Sequence, residues 1–171
     1  MSKRIITLGT WDGKPIKWMV INETEKTMFL FSVYVLNYET IKFDNSNSHN
    51  KWIKSDVRKY LSEKFSTMFN QEEIKLIINC CLPDCDNSKD NIFLLSVEEA
   101  RKYLTENERK TVNQSGWYWL RSPSPLKNNT VAYVWDNGII NDNNVKGCYA
   151  ESGCNGSCGI RPAIMIRKDI K

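Results

Sequence analysis

The sequence predicts an α+β domain built from small antiparallel sheets and two or three helices. Three observations carry that expectation. Alternating apolar residues mark strands at both ends of the chain, helix-start signals with helically spaced apolar residues fill its middle, and a strong hairpin signal stands at Asp136-Asn137-Gly138. Strands, then helices, then strands again do not read as a repeating βαβ array.

The opening strand signal is Ile6 and Leu8 around Thr7, followed by a turn at Trp11-Asp12-Gly13-Lys14-Pro15. Ile16, Trp18 and Val20 then alternate with their neighbours, and an apolar run from Thr27 to Leu36 continues a meander. Ser55 is suited to cap a helix whose inner face is Val57, Tyr60, Leu61, Phe65, Met68 and Phe69. Asn70 restarts a second helix with Glu72 and Glu73 in its first turn, and Ile74, Ile77 and Ile78 supply the side expected to be buried. Ile92 to Leu95 reads as a short buried strand. Ser96-Val97-Glu98-Glu99 is a capping box for a short helix facing inward through Ala100, Tyr103 and Leu104. Beyond Gly116, Trp117, Trp119 and Arg121 alternate with Tyr118 and Leu120 until Pro123 and Pro125 stop the run. The Asn-Gly hairpin and a last strand over residues 160–166 complete the chain. Buried positions are expected at Trp18, Trp52, Leu61, Phe65, Phe93, Leu95, Trp119 and Leu120.

A single domain over residues 1–171 accounts for the length, and 41% hydrophobic with 11% aromatic residues can fill its core. The net charge of +4 is spread over interleaved acids and bases, which argues against a nucleic-acid binder. No apolar run has the length of a membrane span or a secretory leader, so the chain is expected to be cytoplasmic as written. Surface or phage-associated display is the alternative.

Chemistry-bearing residues are sparse. Cys80, Cys81 and Cys85 form one group and Cys148, Cys154 and Cys158 another, with no Cys-x-x-Cys pair in either. They read as reduced cysteines, and a zinc site drawing on both groups is the alternative. His49 lies in a polar loop far from both. Glu72-Glu73 and Glu98-Glu99 sit where the helix dipole explains them. The segment from Gly153 to Gly159 lacks the Gly-Lys-Ser/Thr ending of a phosphate loop. Asp136, Asn137, Asp142 and Asn143 offer calcium ligands, although Asx residues are the default of turns. No cofactor is expected. Arg121 and Arg161, among apolar neighbours, are expected to be ion-paired inside the sheet.

Several blocks run in order along the chain: Leu8-Gly9 with Ile16-Lys17-Trp18-Met19-Val20, Trp52-Ile53-Lys54-Ser55-Asp56-Val57-Arg58-Lys59-Tyr60-Leu61, and Asn91 to Ser96 with Glu98-Glu99-Ala100. Trp119-Leu120-Arg121-Ser122-Pro123 and Gly159-Ile160-Arg161-Pro162-Ala163 complete the set. Together they resemble the uncharacterised bacterial and phage family catalogued as domain of unknown function 6273, with Tyr60 where the family more often has Trp. The last two blocks are also similar to strands of C-type-lectin-like folds. That resemblance implies paired terminal strands, Ile5–Leu8 with Ala163–Arg167, and long loops over a small sheet. It also suggests a variable protein of a diversity-generating retroelement, whose Asn codons are mutated.

The function expected is non-enzymatic binding of a protein or glycan. The site is expected on an exposed, largely irregular segment, residues 124–158, through Tyr133, Trp135, Asn137, Asn141, Asn143, Asn144 and Tyr149. Tyr and Trp give rigid contact area, and Asn offers both a donor and an acceptor. The alternative is a formylglycine-generating-enzyme-like or metal-binding protein using the cysteine groups.

Overall fold

A computed structural model describes residues 3–36, 41–45, 50–111, 116–124, 129–144 and 158–168. It is mixed α+β, as the order of sequence patterns implies. Strands β1 (Ile5–Trp11), β2 (Lys14–Glu23) and β3 (Thr27–Ser32) form an antiparallel meander. Helices α1 (Asp56–Met68) and α2 (Gln71–Leu76) follow, then a two-stranded hairpin of β4 (Cys80–Leu82) and β5 (Ser88–Asp90). Two short helices come next, α3 (Val97–Tyr103) and α4 (Glu106–Arg109). Strands β6 (Trp117–Pro123), β7 (Thr130–Val134), β8 (Ile140–Asn144), β9 (Cys158–Gly159) and β10 (Ala163–Arg167) close the chain.

The first sheet has the order β1-β2-β3-β10 and the second β8-β7-β6-β9. This corrects the expected pairing of the terminal strands. β10 lies antiparallel to β3, with Ala163 opposite Phe31 and Arg167 opposite Thr27, while β1 occupies the far edge beside β2. Asp12 and Gly13 adopt positive φ values of 48° and 75°, a two-residue turn that returns β2 directly onto β1. That turn sets the β1–β2 pairing but leaves the outer edges of β1 and β3 both open, and it is beside β3 that the chain at Ile78 and Phe93 can cover the far side of a further strand. β10 then takes the open edge of β3. Its own outer edge is covered, because Ile78 N–H donates to Met165 O (2.8 Å) and Phe93 exchanges two backbone hydrogen bonds with Ala163.

Helix starts follow the local chemistry. Ser55 accepts from Arg58 N, and Asn70, Ser96 and Thr105 each form a capping box with the Glu three residues on. The core is aromatic. Trp18, fully buried, stacks on Phe69 at 6.3 Å and donates its indole N–H to Leu8 O at 2.8 Å. Trp119, also fully buried, meets Phe43 edge-on and donates to Ile41 O at 2.7 Å. Seven of the eight positions expected inside are buried, and Phe65 is half-buried. Ile92 to Leu95 is buried as expected but forms an isolated bridge from Phe93 to Ala163, not a regular strand. Gly9 sits at φ +70°, where an added Cβ would come within 2.6 Å of the Phe69 ring. Its backbone N–H reaches Glu73 Oε1, so the glycine lets β1 close onto α2.

Candidate functional site

The second sheet carries most of the residues that the sequence nominates. β7 and β8 pair from Val134–Ile140 to Thr130–Asn144, so residues 130–134 and 140–144 are strands. The hairpin expected around Asp136-Asn137-Gly138 is present, and its second strand runs on through residues 141–144, where an irregular segment was expected. Val131, Ala132 and Val134 are apolar and buried, and a strand with paired backbone is how such a run leaves water. The turn also differs from a two-residue Asn-Gly loop. Trp135 N–H donates to Ile139 O and Gly138 N–H to Trp135 O, both at 2.9 Å. Asp136 and Asn137 are therefore the turn centre and Gly138, at φ +89°, is the left-handed residue that follows. A Cβ on Gly138 would collide with Glu106 O. Arg109 Nε donates to Gly138 O at 2.9 Å, so α4 braces the turn from below.

Trp117 of β6, Tyr133 of β7 and Trp135 of the turn form an aromatic trio with ring centroids 4.5 to 5.5 Å apart. Tyr133 is only 4% exposed, so it supports the cluster from within and does not present the open contact surface expected of it. Trp135 is half-buried, and Asn137 and Asn141 are exposed. Asn137 Oδ1 accepts from Ile139 N–H. Asn143 and Asn144 lie on β8, the sheet's edge strand, opposite Val131 and Thr130. Tyr149 lies outside the described residues, as do His49, Cys148 and Cys154.

A cleft of about 690 Å³ opens elsewhere, between the first half of α1, β5 and the chain at Asn91-Ile92. Its organising group is Asp90, 8% exposed. Asp90 Oδ1 accepts from Arg58 Nε at 2.7 Å, and Oδ2 accepts from the Trp52 indole (3.1 Å) and Ser88 Oγ (3.0 Å). Arg58 Nη1 donates to Ile53 O at 3.3 Å. Ser55 caps α1 through Arg58 N and donates to Trp52 O. Trp52, Ser55 and Arg58 thus serve one arrangement. Their three-residue spacing was readable in the sequence, but the buried acid on which they converge is 32 residues beyond Arg58. The sequence reading missed Asp90 for that reason.

The two arginines expected in ion pairs differ. Arg121 binds Asp84 at 2.9 Å and Glu99 at 2.6 Å and donates to Leu94 O. Burial works against its charge, but the two carboxylates outweigh burial and raise its pKa. Arg161 is a correction: among the described residues no carboxylate pairs with it. Its guanidinium donates to Ser32 O, Arg109 O and Lys110 O and lies over the Phe31 ring at 4.3 Å. The neighbouring chain supplies carbonyls and an aromatic face where the sequence suggested an acid.

Burial pushes the half-buried Cys80 thiol up to about 11 and the buried Cys85 thiol up to about 12, helped by Glu99 and Asp84 respectively. Both are therefore thiols near neutral pH, not nucleophilic thiolates. Among the described residues no group of three His, Cys, Asp or Glu side chains could hold a metal ion, and no helix is long and apolar enough to cross a membrane.

The fold and these surfaces define a mixed α+β domain with a braced hairpin and a polar cleft. The chain belongs to the family described as "Domain of unknown function (DUF6273)", whose profile matches residues 25–168. No curated protein and no solved structure matches it.

Proposed function

We propose that this chain is a non-enzymatic recognition domain of C-type-lectin-like build, which takes a protein or glycan partner on the β7–β8 hairpin. The observation carrying this reading is the half-buried Trp135, packed at a tilt against Trp117 and edge-on against Tyr133, beside the exposed Asn137 and Asn141. A ring held by its neighbours loses little freedom on binding, and exposed amides can serve partners of different shape. The lectin-like part of the reading rests on the resemblance of Trp119-Leu120-Arg121-Ser122-Pro123 and Gly159-Ile160-Arg161-Pro162-Ala163 to strands of such folds, and the pairing of β10 with β3 instead of β1 does not add to it. The protonated Cys80 and Cys85 favour recognition over a cysteine-based reaction at their group.

The test is a glycan and protein array with the intact chain, followed by joint substitution of Asn141, Asn143 and Asn144 with Ala. The melting temperature should barely move while affinity for an arrayed partner falls. Unchanged affinity would place recognition elsewhere, and a collapse of stability would make these Asn residues structural.

A further inference from the structure

The cleft beside α1 is chemically unlike the hairpin. A surface Arg–Asp pair is usually mobile and contributes little to stability. The pair here is built differently, with the acid buried beneath the base: the Asp90 side chain is 8% exposed and that of Arg58 30%. Asp90 is fixed by two neutral donors, Trp52 and Ser88, so it holds the Arg58 Nε edge in one orientation. Ile53 O takes Nη1. Among the described residues Nη2 has no protein partner. A guanidinium fixed on two sides with a third donor group left over is prepared for an anion before the anion arrives.

The surrounding charges favour the same ligand. Lys54, Lys59 and Lys89 line the cleft, and none is ion-paired among the described residues. Of the carboxylates in the lining, Asp90 is taken up by Arg58, while Asp56, which accepts from the Asn45 backbone N–H and side-chain amide, keeps its charge as Glu63 does, so the four cations exceed the three acids by one. Lysines contributed by the chain just before α1 (Lys54), by α1 (Lys59) and by β5 (Lys89), together with a guanidinium, suit the three acceptor oxygens of a phosphoryl dianion better than the two coplanar oxygens of a carboxylate. The volume of about 690 Å³ exceeds what a bare phosphate fills and lies within the range of small-molecule sites. Asn79 and Asn91, joined by a 2.9 Å hydrogen bond, line the cleft with further polar groups.

We propose that this cleft binds a small phosphorylated molecule, with the phosphoryl group against Arg58 Nη2 and the flanking lysines. The site is separate from the hairpin surface, so its failure would leave the recognition reading untouched. The test is a proton–nitrogen NMR titration of the full chain with glycerol 3-phosphate, with acetate added to a parallel sample at matched ionic strength. Saturable shifts are expected at the amides of residues 54–59 and 89–92 and at the Arg58 Nε–H, from the phosphomonoester and not from acetate. The double variant Lys54→Ala/Lys89→Ala keeps the Ser55 cap and every Asp90 contact, so it should fold as the parent does and bind roughly tenfold more weakly. The variant Trp52→Phe removes one donor to Asp90 and should weaken phosphate binding while the spectrum stays folded, as expected if Trp52 positions Arg58 through Asp90. No saturable shift in the cleft, an equal response to acetate, or unchanged affinity in the double lysine variant would each overturn the proposal.

Discussion

The β7–β8 hairpin and the cleft beside α1 are held in place by opposite means. The hairpin rests on contacts without an ion pair among the described residues: three mutually tilted rings, a glycine pressed against the Glu106 carbonyl and a backbone carbonyl that accepts from the Arg109 guanidinium. The cleft rests on one buried carboxylate whose two oxygens share three donors. A platform held without a buried ion pair should tolerate exchange of its outward side chains better than a site built on a buried acid. The charged cleft should tolerate very little, since removing one donor leaves a buried acid underpaired.

The largest effect is expected from Trp52→Ala. It empties a nearly buried ring and removes the indole donor to Asp90, and should cost about 3–5 kcal/mol in a urea unfolding experiment. A cost below about 1 kcal/mol would show that Asp90 does not depend on that ring. Gly138→Ala tests the hairpin brace. The substitution combines a positive φ of 89° with a collision at Glu106 O, and should cost about 1–3 kcal/mol. Gly13→Ala shares the positive φ but has nothing within 4 Å of its Cβ, and should cost about 1 kcal/mol. Equal losses at the two glycines would remove α4 as the support of the hairpin.

Two pH effects are smaller. Cys80 and Cys85 have folded pKa values raised from 9.0 to about 11 and about 12. Their contribution is therefore complete below pH 9 and lost as pH rises through those folded values. Alkylation at pH 8 should accordingly be slower at Cys80 and Cys85 than at the exposed Cys81. On the acid side, burial pushes the Glu108 carboxyl up, but hydrogen bonds from Lys3 and Thr105 outweigh it and leave its pKa below the ordinary 4.5. Stability from that contact is present above about pH 4.5 and lost as pH falls through the lower folded value. Lys3→Ala should flatten this part of the pH–stability curve, measured by thermal melts between pH 3 and 6.

What the sequence made legible was what local chemistry decides. Ser55, Asn70 and Ser96 start helices because their side chains accept from nearby backbone N–H groups, and Trp18 and Trp119 are inside because large rings dominate burial. Partners far apart in sequence were not legible. Nothing local tells β10 to join β3 rather than β1, Arg161 to find carbonyls rather than an acid, or Asp90 to sit beneath Arg58. The Asn residues over 141–144 read as loop because Asn favours turns, but the pairing of β8 with the apolar β7 outweighs that preference. Tyr133 read as surface because its type suits interfaces, and packing against Trp117 and Trp135 takes it inside.

The recognition reading is tested most directly by mapping a bound partner onto the chain. For a glycan or protein found on the arrays, the Trp135 indole N–H and the Asn137 and Asn141 side-chain amides should shift in proton–nitrogen spectra, while signals from β1 and β2 stay fixed. A partner that moves signals on the first sheet and leaves Trp135 unchanged would contradict the account.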